Sequence, residues 1–468
     1  MIPSATTIDL NDAELAVQRA WERGAPVLWS VATELDGIPD VFHFISGTLS
    51  AASSALWVDK QRTFALAGIG SAQRQVFDGW TRFADSSSWW QDECRWCVSP
   101  RGERLPFPVP MAFAGFCFDV ERPTGEEWTA FPDGVLQVPE LLLVTTSEHS
   151  WLVSTIAVPA SSDRAQSAQR MEQLIEQGIA RLGDIHRSSH RVNRLTSTRS
   201  VPESAIWRRE VAAAARRVRS GELDKVVLAR SEVRSYEVEI NLSESLQQME
   251  QLNTNAAIFA FGTPTSWFVG ASPETLVKLQ GGLFETVPLA GSAPRGETEK
   301  DDERFARALL RSRKDLHEHE VVVGAILQAL DLVADARPDS ESPTVVKHRT
   351  VQHLATVIRG TARPNVTALD IVGRLHPTPA VGGYPVEDAL AAIRSIEPFD
   401  RGWYAGPIGW VDALGDGEFA IGIRSALVQG TEARLYAGCG IVGDSDPDSE
   451  FRETEMKLQA IGSSLGTT

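Results

Sequence analysis

The sequence is poor in cysteine, with four in 468 residues. Cys94 and Cys97 form a single CxxC pair, whereas Cys117 and Cys439 are distant from it in the sequence. A structural zinc site needs two further ligands at a recognisable spacing, and none is adjacent. The pattern therefore favours reduced, partly buried thiols. A zinc-binding interaction protein built on Cys94 and Cys97 is the weaker alternative.

The chain also lacks long apolar runs and an excess of basic residues. No stretch approaches membrane-spanning length, and the run Met111–Phe118 is predicted as a buried strand. The first residues show no basic region followed by an apolar run, so no signal peptide is expected. A net charge of -17, from 62 acidic and 45 basic residues, disfavours nucleic acid or an anionic membrane as a partner. We expect a cytoplasmic protein in which a local group of cations meets any anionic substrate.

The C-terminal segment Asp446–Ile461 predicts a helix, with Asp446 as its N-cap and Pro447 in the first turn. Glu450, Glu453 and Lys457 fall on one stripe of that helix. Two carboxylates and one ammonium group on a stripe suit a hard cation beside an anionic ligand. A solvated face with an ordinary helical ion pair is the alternative.

Three glycine-rich segments precede this helix and predict a three-strand meander, Trp403–Asp412, Glu418–Gln429 and Arg434–Val442. Glycines inside strands mark places where backbone or ligand approaches closely. Arg424 stands within an otherwise apolar strand, and a buried arginine needs an anionic partner. A carboxylate of a ligand would meet that need.

Four segments of this region, WYAGPIG, FAIGIRSA, YAGCGIV and SEFRETEMK, together resemble the chorismate-utilising enzymes. That family includes isochorismate, salicylate, anthranilate and aminodeoxychorismate synthases, and the resemblance covers roughly residues 200–465. It implies an α+β fold in which two large, mostly antiparallel sheets pack face to face with helices on the outside. Residues 1–200, where no catalytic motif is visible, and the catalytic half, 201–468, would build one continuous domain.

The resemblance implies two catalytic side chains. Lys225 opens the predicted strand Asp224–Arg234, at the position of the lysine that activates water in isochorismate and salicylate synthases; anthranilate and aminodeoxychorismate synthases usually have glutamine there. Glu274, in GASPETLVKL, matches the general acid that faces the leaving hydroxyl. A carboxyl stays protonated near neutral pH only beside an apolar wall or another carboxylate. Taken alone, these residues would be an exposed lysine and a turn carboxylate.

A glycine turn in ETVPLAGSAPRG offers a second anion contact. The backbone N–H groups of Gly291 and Ser292 would face a substrate carboxylate. Some aminodeoxychorismate synthases carry a lysine at the position of Ala290, and that lysine attacks the ring directly. The alanine removes this chemistry from the chain.

The segment Asp301–Ala336 is strongly helical in pattern and contains KDLHEHE. The zinc-protease motif HExxH is absent, because neither histidine has a second one four residues on. The resemblance implies that Glu318 and Glu453 bind Mg²⁺, with Asp315 and Glu450 as outer or water-mediated ligands. Four converging carboxylates would otherwise repel one another.

Further substrate contacts follow from the family. His353, in the predicted strand Arg349–Gly360, would lie near the ring, although a lone histidine among apolar residues is usually a core residue. Ala380, in HPTPA, resembles isochorismate synthases, whereas salicylate synthases tend to have threonine there.

The enolpyruvyl carboxylate would be held by Tyr404 and Arg424. Lys457 and the backbone of Gly438 would complete this anion site.

Together these features predict an enzyme that resembles isochorismate synthases most closely. It would convert chorismate to isochorismate with Mg²⁺ by adding water at C2 and releasing the C4 hydroxyl. Salicylate synthase, which adds a pyruvate elimination, is the nearest alternative, and an inactive ligand-binding relative is another. A monomer without a glutamine amidotransferase subunit is expected, because the nucleophile is water. Whether the product serves menaquinone or a catechol siderophore stays open.

Overall fold

The computed structural model describes residues 8–46, 53–100, 105–183, 193–347 and 351–466, except for the side chains of Ser292 and Val351. Its helices in chain order are α1 (Leu10–Arg23), α2 (Val41–Ser46), α3 (Arg82–Trp96), α4 (Arg164–Gly183), α5 (Ser204–Arg219), α6 (Leu242–Leu252), α7 (Glu299–Leu309), α8 (Arg313–Leu330), α9 (Ala368–Leu375), α10 (Val386–Ile396) and α11 (Pro447–Gly462), with a 3₁₀ turn at Glu126–Trp128.

The strands in chain order are β1 (Val27–Glu34), β2 (Ser54–Val58), β3 (Phe64–Ile69), β4 (Gln73–Phe77), β5 (Met111–Phe116), β6 (Gly134–Val138), β7 (Leu141–Thr146), β8 (Ser150–Val158), β9 (Leu195–Val201), β10 (Lys225–Tyr236), β11 (Ala257–Gly262), β12 (Trp267–Ser272), β13 (Thr275–Gln280), β14 (Leu283–Thr286), β15 (Leu289–Pro294), β16 (Ala334–Pro338), β17 (Thr344–Lys347), β18 (Val351–Ala355), β19 (Ile358–Ala362), β20 (Gly383–Tyr384), β21 (Pro407–Asp412), β22 (Gly417–Ile421), β23 (Ser425–Gln429) and β24 (Glu432–Ile441).

In the described part of the chain, these strands form a 12-stranded, a 9-stranded and a 3-stranded sheet. The 12-stranded sheet has the order β1-β8-β7-β3-β2-β11-β12-β23-β24-β10-β20, with β9 on β10, and the 9-stranded sheet the order β16-β19-β14-β13-β22-β21-β5-β6-β4. Both contain strands from residues 1–200 and from the rest of the chain, which meet where β2 pairs antiparallel with β11 and β5 with β21.

The two large sheets share one apolar core. Trp57 and Phe259 of the 12-stranded sheet belong to the same buried cluster as Phe113 and Phe419 of the 9-stranded sheet. The outer face of the 12-stranded sheet is covered by helices, for example where α11 packs against β24 and buries Leu458. The predicted α+β architecture, with two antiparallel sheets face to face and helices outside, is confirmed.

The predicted C-terminal helix is also confirmed. The Asp446 carboxylate accepts a hydrogen bond from the backbone N–H of Ser449 at 2.9 Å, and Pro447 occupies the first turn, where its missing N–H costs nothing. Because α11 is fixed at its start and buried along one face, its charged stripe has a defined direction.

The predicted meander is wrong in an informative way. Glu418–Gln429 is two strands, because β22 belongs to the 9-stranded sheet and β23 to the 12-stranded one. The chain crosses between the sheets at Gly422–Arg424, where Arg424 has the left-handed φ of 51°. A neighbouring crossing between β12 and β13 carries Glu274. The two crossings run side by side, because Gly270 pairs with Ser425 in one sheet and Thr275 with Ala420 in the other.

Other predicted elements are also divided. Asp301–Ala336 comprises α7, α8 and part of β16, since the Ser312 hydroxyl caps a new helix by accepting from the N–H of Asp315. Trp403–Asp412 becomes a strand only at Pro407. The predicted strand Arg349–Gly360 is β18 and β19 in different sheets, and its first two residues lie outside the described chain.

The polar segment 186–200 lies partly outside the described residues, and its last part contributes to β9, which pairs with β10. Among the helices of the described residues, none is long and apolar enough to cross a membrane.

Candidate active site

A cavity of about 270 Å³ lies where the two sheet crossings meet α8 and α11. It brings together every predicted site residue except Ser292, whose side chain lies outside the described residues. The predicted residues that line it are Lys225, Glu274, Gly291, Asp315, Glu318, His353, Ala380, Tyr404, Arg424, Gly438, Glu450, Glu453 and Lys457.

Lys225 enters the cavity from the first residue of β10. Its ammonium group donates to a carboxylate oxygen of Glu318 on α8 at 2.7 Å, and the two side chains are 12% and 22% exposed. The Lys225 side chain passes over Gly440 of β24, where a Cβ would lie 2.7 Å from the lysine Cε. A side chain at this position would therefore force the end of the lysine to shift.

Glu274 lies at the crossing from β12 to β13 and is 8% exposed. Its carbonyl oxygen accepts from the N–H of Ile421, and its own N–H donates to the Ser272 hydroxyl. Burial raises the pKa of Glu274 to about 7, even though the ammonium groups of Lys60, Lys225 and Lys457 act against this rise. The side chain is thus a fixed carboxyl that keeps its proton at mildly acidic to neutral pH.

Helix α11 presents Glu450, Glu453 and Lys457 to the opposite side of the cavity. The Lys457 ammonium group donates to Glu453 at 2.6 Å and to the carbonyl oxygen of Gly438 at 2.7 Å. Burial acts to raise the pKa of Glu453, but Lys457, Arg424 and Lys225 outweigh it and hold the pKa below its ordinary value. Glu453 is therefore ionised near neutral pH.

The carboxylates around this side suit a hard cation. Within the described residues no group of three His, Cys, Asp or Glu side chains is spaced to hold a metal by itself. Glu318 and Glu453 instead each form an ion pair with one lysine. Burial together with the charge of Glu453 raises the pKa of Glu450. Mg²⁺ commonly binds one or two carboxylates and keeps its remaining positions for water and substrate oxygens. The donor set fits that pattern.

Arg424 and Tyr404 form a third group at the sheet crossings. In the described part of the chain the Arg424 guanidinium makes no hydrogen bond or ion pair, and burial lowers its pKa while Tyr404 and Glu453 act to raise it. The Tyr404 ring stacks on Tyr436 with 5.1 Å between centroids. A half-buried guanidinium with no hydrogen-bond or ion-pair partner among the described residues is a ready site for an anionic group.

The remaining predicted contacts surround this centre. Gly291 has a left-handed φ of 74° beside the buried Ala290. His353 and Ala380 line the cavity, His353 from β18 and Ala380 from the loop that precedes β20.

Sequence reasoning missed two charged groups near the cavity. Lys60, in the half of the chain without a catalytic motif, donates to the carbonyl oxygen of Pro273 beside Glu274. Arg401 pairs with Glu397 at 2.9 Å and donates to the carbonyl oxygens of Val381 and Val227, which ties the Ala380 loop to β10. The i, i+4 spacing of Glu397 and Arg401 is visible in the sequence, but the two residues follow the end of α10 and do not form a helical pair. No local pattern marks Lys60.

The two cysteines of the CxxC pair lie away from this cavity. All four are free thiols, and Cys94 and Cys97 line a different cavity, with Trp410 and Asp412. Burial raises the pKa of both thiols. They lack the low pKa that reactive or metal-binding cysteines need.

Comparisons with known proteins agree with this geometry. A family model described as chorismate binding enzyme matches residues 15–466. The chain is 33% identical over 464 residues to isochorismate synthase MenF of Bacillus subtilis (strain 168), covering 96% of both proteins. It is 34% identical over 454 residues to the salicylate biosynthesis isochorismate synthase of Pseudomonas aeruginosa, covering 97% of this chain and 93% of that protein.

Solved structures support the same fold. The menaquinone-specific isochorismate synthase MenF of Escherichia coli superimposes with a TM-score of 0.78 at 23% identity, covering 97% of this chain and all of that one. Anthranilate synthase component I of Streptococcus pneumoniae TIGR4 gives a TM-score of 0.70 at 21% identity, covering 85% and 92%. The chain belongs to the family of chorismate binding enzymes.

Proposed function

We propose that the protein is an isochorismate synthase that isomerises chorismate to isochorismate. The observation that carries the proposal is the cavity that holds Lys225 and the buried, protonatable Glu274 together with Arg424, whose guanidinium has no partner among the described residues. A base, an acid and an anion site in one enclosed space are the parts that this exchange of hydroxyl groups requires.

In this proposal Lys225 reacts as its neutral amine, outside the ion pair with Glu318, and accepts a proton from water, whose oxygen adds at C2 of the ring. The double bonds shift, and the C4 hydroxyl departs with the proton of Glu274 as a second water molecule. The two proton transfers balance, so the product is an isomer of the substrate. The raised pKa of Glu274 gives it the proton that this step needs near neutral pH.

The residues at two positions of the sequence favour water over an amine as the nucleophile. Lys225 stands where ammonia-using relatives usually have glutamine, and Ala290 stands where some aminodeoxychorismate synthases have a nucleophilic lysine. The full-length relatives named above are isochorismate synthases, which points the same way. Hence the proposal includes no glutamine amidotransferase subunit.

Charged groups orient the substrate. Arg424 and Tyr404 would hold the enolpyruvyl carboxylate, while Lys457 with the Gly438 backbone and Gly291 with Ser292 would complete the anion contacts. His353 would flank the ring. We further propose that Glu318 and Glu453, assisted by Asp315 and Glu450, hold Mg²⁺. When bound, the ion supplies positive charge to the ring carboxylate.

The proposal extends to the organisation of the chain. Residues 1–200 and 201–468 would act as one structural domain, since strands of both halves pair within each large sheet. We propose a monomeric, cytoplasmic enzyme whose product serves menaquinone or catechol siderophore synthesis.

The direct test incubates the purified protein with chorismate and Mg²⁺ and identifies the product by chromatography, mass and fluorescence. We expect isochorismate as the main early product. Lys225→Gln should abolish conversion while chorismate still binds, as measured by calorimetry. Salicylate as the main early product, or undiminished turnover by Lys225→Gln, would contradict the proposal.

A further inference from the structure

Lys60 is a half-buried cation that no step of the proposed reaction uses. It follows β2, and its ammonium group donates to the carbonyl oxygen of Pro273 at 2.7 Å. The sheet order explains this contact across 213 positions of sequence. Val58 pairs with Ile258, and Ile258 pairs with Ala271, so β2 ends two strands away from the segment that carries Glu274.

Charges surround Lys60 and Glu274 on several sides. Burial lowers the pKa of Lys60, and the carboxylates of Glu418, Glu274 and Glu285 act to raise it. Glu274 is faced by three ammonium groups, and Lys60 opposes the rise of its pKa more strongly than Lys225 or Lys457 does.

The adjacent Asp59 carboxylate is engaged elsewhere, by the hydroxyl and N–H of Thr63. Glu418 has a second cation, since Lys278 lies 3.6 Å from it. Lys60 thus contacts the segment that carries Glu274 directly, through its hydrogen bond to Pro273.

We propose that Lys60 is a positioning residue for the general acid: its hydrogen bond fixes the Pro273–Glu274 segment, and its positive charge acts on the Glu274 carboxyl. The inference rests on the proposed role of Glu274. It also gives the N-terminal half of the chain a direct part in the active site, because β2 and Lys60 belong to that half. A hydrogen bond to a backbone carbonyl restrains the segment itself, whereas a nearby charge alone would only change its titration.

Four single variants separate the two effects. Lys60→Met removes the charge and the donor, Lys60→Gln keeps a donor without the charge, and Lys60→Arg keeps both. Lys278→Met is the matched control, because it removes the other lysine beside Glu418. The Lys278 side chain is 43% exposed and lies outside the cavity. Thermal melting verifies that each variant is folded, and Lys60→Gln replaces Lys60→Met if the apolar variant is not.

The first readout is the titration of Glu274 itself. Infrared spectra of each protein, minus those of its Glu274→Gln version, give the band of the protonated carboxyl and remove those of other buried acids such as Asp412. Loss of the nearby positive charge should move the midpoint upward by about one pH unit in Lys60→Met and Lys60→Gln. Lys60→Arg and Lys278→Met should match the unmodified protein.

The second readout is turnover of chorismate at pH 6, where Glu274 is protonated in every variant. Lys60→Met should lower kcat roughly 2- to 10-fold, as expected for one lost hydrogen bond, with little change in KM. Lys60→Gln should lose less. At higher pH the falling limb of the kcat profile should follow the infrared midpoints.

Equal infrared midpoints in all variants, or equal effects of Lys60→Met and Lys278→Met, would overturn the proposal. The second result would mean that Lys60 only neutralises Glu418. If the unmodified protein forms no isochorismate, the proposed function fails, but the infrared midpoints still decide whether Lys60 acts on Glu274.

Discussion

Glu274 and Glu453 line the same cavity, yet their pKa values move in opposite directions. Burial raises the pKa of Glu274 to about 7, because the carboxyl lies buried at a sheet crossing and no cation of the described chain is hydrogen-bonded to it. Burial acts on Glu453 as well, but Lys457 at 2.6 Å, Arg424 and Lys225 reverse its effect. One cavity thus contains an acid that keeps its proton and a carboxylate that has lost it.

The difference teaches where each kind of chemistry is possible. A proton donor near neutral pH needs desolvation that exceeds the attraction of neighbouring cations. A metal ligand or a partner for ammonium groups needs the reverse balance. Glu274 meets the first condition on a rigid crossing between sheets, and Glu453 meets the second on a helix that also carries its cation, Lys457.

The contrast between a protonated Glu274 and an ionised Glu453 would be contradicted most clearly if Glu274→Gln left the reaction intact. We expect kcat to fall about 10²- to 10⁴-fold, the usual contribution of a general acid, because the amide has no proton to give. Glu418→Gln is a matched control, since Glu418 is also buried with a pKa raised by burial but lies outside the cavity. That variant should keep kcat within a few-fold. Steady-state kinetics with chorismate and Mg²⁺ measure both.

Stability should separate the two carboxyls by sign. The folded-state pKa of Glu274, about 7, lies above the ordinary 4.5, so its contribution is present below pH 4.5 and is lost as pH rises through 7. The cost at pH 8 is about 3 kcal/mol at 1.36 kcal/mol per pKa unit. Glu274→Gln should therefore melt above the unmodified protein at pH 8 and match it near pH 4.

Glu453→Gln should have the opposite effect and melt below the unmodified protein at neutral pH. Its pKa is lowered, so its contribution is present at neutral pH and is lost as pH falls through the folded-state pKa. Calorimetric melting across pH 4–8 without metal measures both variants. Destabilisation by Glu274→Gln at pH 8, or stabilisation by Glu453→Gln, would reverse the assignment of the two environments.

Metal binding sharpens the comparison further. Titration calorimetry with Mg²⁺ alone should show no detectable binding for Glu318→Gln or Glu453→Gln. Glu450→Gln, as an outer ligand, should weaken binding roughly 10- to 100-fold. Asp444→Asn, an exposed carboxylate paired with Lys314, is the control and should bind normally. Unchanged affinity in Glu453→Gln would remove it from the metal site, as would full turnover after exhaustive chelation.

The structure gathers the predicted site residues other than Ser292 around one cavity, whereas the predicted path of the chain between them is partly wrong. The family motifs named Lys225, Glu274 and Glu453, and the caps and apolar spacing placed α11 correctly. The sheet crossing at Arg424 was missed, because an apolar run of twelve residues, Glu418–Gln429, looks the same whether it stays in one sheet or changes sheets. Only the tertiary pairing, with β12 on one side and β13 on the other, decides it.

Lys60 shows that local sequence is also a poor guide to the residues that surround the site. Its partner Pro273 is 213 positions away, and nothing in the local sequence distinguishes it from an exposed lysine. The contact exists because β2 and β11 are neighbours in the 12-stranded sheet, which is a property of strand order. Local patterns carry helix caps and family motifs, whereas contacts between the two halves depend on topology.

The smallest expected effect concerns product choice at the protonated end of the cavity. Ala380 lies at this end, since it and Glu274 also line a second, small cavity. In our proposal the enzyme stops at isochorismate, because pyruvate elimination requires the enolpyruvyl arm to be held over C2, where the hydrogen moves to its methylene while the C–O bond breaks. Ala380 offers a methyl group and no hydrogen bond, so it leaves the arm less restrained than a threonine would.

Ala380→Thr should therefore raise the salicylate fraction, but only in part. One added hydrogen bond contributes about 0.5–1.5 kcal/mol, which is at most roughly a tenfold change in rate. Ala380→Val, similar in shape to threonine but without the hydroxyl, is the control and should leave the product ratio near that of the unmodified enzyme. Chromatographic ratios of salicylate to isochorismate at early times measure the effect. Equal ratios for the threonine and valine variants would show that shape at this position, and not the hydroxyl, governs the second step.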